Sequence, residues 1–98
     1  MALQIEWTIH AQEDYRQIVD YLQKEWSLKV AAEFINNLEE RVQNVSFFPH
    51  IGIASVKDHS IRSIIIKHNK LYYRTRAEKI EVLDIFDTRQ SLLKNRYD

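Results

Sequence analysis

Between Ile9 and Ser46 the chain carries two runs of helical apolar spacing separated only by Trp26 and Ser27, and this pairing restricts the fold more than any other feature. In the first run, Ala11, Tyr15, Ile18 and Leu22 recur at i, i+4, i+7 and i+11, with Val19 and Trp26 widening the face. Thr8 stands where an N-cap hydroxyl is wanted, and Glu13, Asp14 and Asp20 fall on the outward side. The second run, from about Leu28 to Ser46, places Ala31, Phe34, Ile35, Leu38, Val42 and Val45 on one stripe. Ser27 caps it, and Pro49 ends it because proline cannot continue the hydrogen-bond ladder. Two amphipathic helices with so short a link form an antiparallel hairpin, whose stripes need another layer to cover.

The rest of the chain supplies that layer. Leu3–Thr8 alternates apolar and polar residues, as a half-buried strand does. Three further strand runs follow Pro49: Ile61–Lys67, Leu71–Arg76 and Lys79–Asp87. His68-Asn69-Lys70 and Ala77-Glu78 are short enough for hairpin turns, and a short edge strand fits Ile53–Lys57. Gly52 is the residue in this stretch free to take positive φ. The last strand carries apolar residues on both of its phases and reads as the most central. The expectation is a single α+β domain over residues 1–98, ordered β-α-α-β-β-β, with the helix hairpin packed on an antiparallel sheet. Tyr15, Tyr21, Tyr72 and Tyr73 are expected to set their rings in the core, with Trp7 and Trp26 together at the sheet–helix seam. Ser91–Asp98 reads as a loop or a short helical turn.

Composition narrows the classes further. No cysteine is present, which excludes disulfides and thiolate metal sites and suits a reducing compartment. No apolar run reaches the roughly 18–20 residues of a membrane span, and the start lacks the pattern of a signal peptide. These features lead to the expectation of a cytoplasmic domain away from membranes. The zero net charge conceals a division. Residues 1–49 hold four Lys/Arg against eight Asp/Glu, and residues 50–98 hold ten against six. A basic C-terminal half can attract phosphate or an acidic partner, and it can equally line a solvated strand.

Taken in order, Ile5-x-Trp7-Thr8-x-x-Ala11-x-x-Asp14-Tyr15, Ile18-x-x-Tyr21-Leu22, Ala31-x-x-Phe34 and Phe48-Pro49-x-x-Gly52 mark the helical half. Ile61-Arg62-Ser63, Tyr73-Arg74 and Leu83-x-Ile85-x-Asp87-x-Arg89 mark the sheet. This ordered set resembles the RelE/ParE superfamily of bacterial toxins, and the resemblance covers essentially the whole chain. Each piece is a common fold-shaping residue, so it is the order that carries the specificity. The resemblance implies the toxin half of a type II toxin–antitoxin pair, of the kind known as plasmid stabilisation proteins. It further implies a cognate protein antitoxin and no cofactor. The reading preferred here is a ParE-like toxin that inhibits growth by binding a macromolecular target such as DNA gyrase. The alternatives are a RelE-like, metal-independent and ribosome-dependent mRNA endonuclease, or a non-toxic interaction and autoregulation module.

Cleaving RNA without a metal requires deprotonating the ribose hydroxyl, stabilising charge on the phosphate and protonating the leaving oxygen. No catalytic residue is assigned on that basis. Arg62, Lys70, Arg74 and Arg89 are the candidates for binding a target or phosphate. Arg62 stands at the recurring sheet arginine of the superfamily and reads equally as a structural arginine. Lys70 reads as a phosphate contact or as a turn lysine in water. Asp87-Thr88-Arg89 occupies the place where many relatives have a histidine or basic residue before the arginine, and Asp87 there orients Arg89. His59, His68, Asp87 and Tyr97 are weaker candidates. His10 and His50 read as surface or capping residues, and the histidine spacing matches no metal motif.

Overall fold

In the computed structural model, which describes residues 2–88, two helices cover one face of a five-stranded sheet. The elements are β1 (Gln4–Trp7), α1 (Ile9–Glu25), α2 (Leu28–Phe47), β2 (Ile53–Ala54), β3 (Ile61–Ile66), β4 (Asn69–Arg76) and β5 (Lys79–Asp87). The strand order is β1-β5-β4-β3-β2. Both helix starts form as their capping residues dictate. The Thr8 hydroxyl accepts from the Ala11 N–H at 3.0 Å, and the Ser27 hydroxyl accepts from the Val30 N–H at 3.1 Å. Thr8 also fastens α1 to the sheet, since its N–H donates to the Val82 carbonyl and its hydroxyl to the Leu83 carbonyl.

The core lies between the helix hairpin and the sheet. Ala11, Phe34, Leu38, Val42 and Val45 meet Ile64, Ile66, Leu71, Tyr73, Ile80, Val82 and Ile85. Burial of this apolar surface is the main force holding the two layers together. Trp7 meets Tyr15 edge-on, with ring centroids 5.7 Å apart. A second, smaller cluster of Ile61, Tyr72 and Phe86 packs separately, with Tyr72 and Phe86 stacked at 5.7 Å.

Several expectations change. The sheet is mixed rather than antiparallel throughout, because β1 pairs with β5 in parallel. A crossover is what parallel pairing requires, and the helix hairpin together with the meander provides one. β4, not β5, is the middle strand. β5 is apolar on both phases for two reasons: it feeds both clusters, and a bulge opposite Tyr72/Tyr73 changes its alternation. Across the bulge Tyr72 pairs with Asp84 and Tyr73 with Val82, leaving Leu83 as the extra residue. The edge strand closes after Ala54 instead of reaching Lys57. The β3–β4 turn is Lys67-His68, which moves Asn69 and Lys70 into β4.

The aromatic expectations divide in the same way. Tyr72 and Tyr73 are fully buried and Tyr15 packs against the core, but Tyr21 and Trp26 are exposed. Trp26 follows the C-terminal end of α1, whose 17 residues extend about 25 Å from the end beside Trp7. The two tryptophans therefore do not share a seam. Among the described residues, no helix is long and apolar enough to cross a membrane.

Candidate functional site

Two of the sheet arginines, Arg62 and Arg74, are committed to the fold. Arg62 of β3 donates to the Gly52 carbonyl at 2.8 Å and the His50 carbonyl at 3.3 Å, clamping the loop that follows α2. Tyr73 holds the same loop, its hydroxyl donating to the Pro49 carbonyl at 2.8 Å and accepting the Gly52 N–H at 3.0 Å. Burial pushes the Tyr73 phenol above its ordinary pKa. Gly52 is required by this close approach and not by positive φ, which it does not adopt. A Cβ there would stand 2.6 Å from the Tyr73 hydroxyl and 2.9 Å from the Ser63 carbonyl. The Phe48-Pro49-x-x-Gly52 run, Arg62 and Tyr73 thus form one structural knot.

Arg74 donates from Nε to Glu81 at 2.6 Å across the β4–β5 pair. Lys70 lies in a strand rather than a turn, its ammonium 5.2 Å from the centroid of the Tyr72 ring. His59 is exposed beside Asp58, whose carboxyl is held below its usual range, first by hydrogen bonds from Ser60 and then by the nearby Arg74 and His59 charges. His68 sits in the β3–β4 turn, and its carbonyl accepts from the Thr88 N–H and hydroxyl. Arg89 and Tyr97 lie outside the described residues. Of the sequence candidates, His68 and Asp87 come together on the wall of one cavity, while Arg62 and Arg74 are held elsewhere.

That cavity, about 390 Å³, opens between the helix pair and the far ends of the sheet strands. Ile18, Leu22, Phe34 and Ile85 give it an apolar floor, and His10, Asp14 and Asp84 line it as a polar cluster. His10 Nε2 lies 3.2 Å from Asp84 Oδ1 and 3.3 Å from Asp14 Oδ2. The Ile85 N–H donates to Asp14 Oδ2 at 3.1 Å. Asp14 faces the sheet rather than solvent, and its pKa is pushed up to about 7. The causes are burial first, then a hydrogen bond with Asp84 and the Asp84 charge, with the Ile85 N–H and His10 opposing. The neighbouring Asp84 charge in a partly dry site disfavours the ionised form of Asp14.

Sequence reading missed this cluster. The i, i+4 spacing of His10 and Asp14 was visible, but Asp84 lies 74 residues from His10 and joins it only through the docking of α1 on β5.

A solved structure titled "Chromosomal ParDE TA system from P. aeruginosa" is similar to this fold with a TM-score of 0.73. The match covers 88% of this chain and 96% of that one at 17% identity, which speaks for the fold alone. Residues 5–92 match the family described as "ParE toxin of type II toxin-antitoxin system, parDE", and the chain belongs to that family. No curated protein sequence matches it.

Proposed function

We propose that this ParE-family protein restrains growth by binding a macromolecular target, DNA gyrase being the first to test, and that a cognate antitoxin encoded beside it neutralises it. One observation carries the choice of binding over RNA cleavage: Arg62 and Arg74 spend guanidinium donors on backbone carbonyls and on Glu81. A metal-independent ribonuclease needs such cations at the scissile phosphate, with a proton acceptor beside them. Among the described residues, Asp14, whose pKa is raised, lies with His10 and Asp84 on the wall of a cavity that neither Arg62 nor Arg74 lines.

Inducing the protein alone in a bacterial host tests this reading, with mRNA 5′ ends mapped alongside plasmid supercoiling. The expected result is relaxed plasmid or trapped gyrase–DNA breaks with intact messages, and co-expression of the neighbouring antitoxin restores growth. New 5′ ends confined to translated messages would replace this reading with ribosome-dependent cleavage. Normal growth with folded protein and both readouts unchanged would leave an interaction module.

A further inference from the structure

We propose that His10, Asp14 and Asp84 form a binding site for one divalent transition-metal ion of the Zn²⁺ type, a role independent of the toxin's target. Three features of the cluster support it. The donor set is one imidazole nitrogen and two carboxylate oxygens, a mixture that suits Zn²⁺ and its first-row neighbours better than Mg²⁺ or Ca²⁺. The geometry fits as well. Tetrahedral zinc with bonds of about 2.0–2.1 Å places its ligands about 3.3 Å apart. His10 Nε2 is 3.2 Å from the Asp84 oxygen and 3.3 Å from the Asp14 oxygen, and all three ligand atoms lie within 4.8 Å of one another.

The third feature is the support behind the ligands. The Ile85 N–H fixes the Asp14 carboxylate and leaves it a second lone pair, as outer-shell donors do in metal sites. Asp84 is almost fully buried on β5. Thr8, at the start of α1, is bonded to the carbonyls of Val82 and Leu83, which holds the two ligand-bearing elements in register. A dication would balance both carboxylates at once. The three ligands border the cavity, which leaves room for water or a ligand atom at the fourth position.

The test uses the full, tag-free chain stripped with chelator and titrated with Zn²⁺ by calorimetry, and with Co²⁺ followed by visible absorption. The expected result is one ion per chain, with the intense absorption of a low-coordinate Co²⁺ site. Binding should weaken by about tenfold or more in His10→Ala and in Asp84→Asn, and stay unchanged in His59→Gln. His10 is half exposed, so its alanine variant keeps the fold, and circular dichroism checks the Asp84 variant. The proposal is overturned if binding is not saturable, if His10→Ala binds as tightly as the parent, or if affinity falls with His59→Gln.

Discussion

Tyr73 secures the loop after α2 from both sides of its hydroxyl, which donates to Pro49 and accepts from Gly52 in a fully buried setting. Tyr73→Phe strands both backbone groups and is expected to destabilise the protein by about 1–3 kcal/mol, measured by urea unfolding. Asp14 gives a second prediction, one of pH. Its folded pKa, about 7, stands above the ordinary 3.8, so the folded protein binds the extra proton more tightly than the unfolded chain. That contribution is complete below about pH 4 and is lost as pH rises through about 7. Metal-free protein should lose stability across this window, on the order of 1 kcal/mol once solvent contact is discounted. Asp14→Asn keeps an acceptor for Ile85 and a donor for Asp84, so it should flatten the slope in unfolding curves taken at several pH values. Sequence alone pointed to Gly52, Arg62 and Tyr73 but not to their shared task. Their partners lie 10 to 24 positions away, and only the folded sheet brings them together.

Elements were legible where period and punctuation agreed, and blurred where a local distortion intervened. α1 and α2 follow their stripes and caps closely because Thr8, Ser27 and Pro49 mark the ends. β5 misled because the extra residue Leu83 shifts its alternation, a change no periodic template registers. The β4–β5 hairpin lies where turn length suggested, yet Ala77 and Glu78 both take positive φ, 51° and 61°. Side chains at such positions cost about 1–2 kcal/mol per residue, a strain that Asn-Gly relieves. The double substitution Ala77→Asn with Glu78→Gly is expected to stabilise the domain by about 1 kcal/mol, read as a raised thermal midpoint with unchanged circular dichroism.

Across the whole molecule, charge division was visible in the sequence but its use was not. The basic half supplies struts as well as surface, as Arg62 and Arg74 show. Family membership at this scale followed from the order of elements, while the His10–Asp14–Asp84 cluster depends on contacts between the two ends of the chain. The parallel docking of β1 on β5 sets a schedule as well as a shape. Thr8 and Leu83, 75 residues apart, are bonded to each other, and Gln4 to Trp7 find their strand partners only in Lys79 to Val82. Contacts so distant in sequence must close a long loop before they return any stabilisation. During translation the first strand therefore waits for the last one, and a partial chain lacks both the sealed core and the third residue of the His10–Asp14–Asp84 cluster. Truncated products of an interrupted message would remain unfinished material for proteolysis, and a cell would meet the folded domain only when synthesis of the last strand is complete.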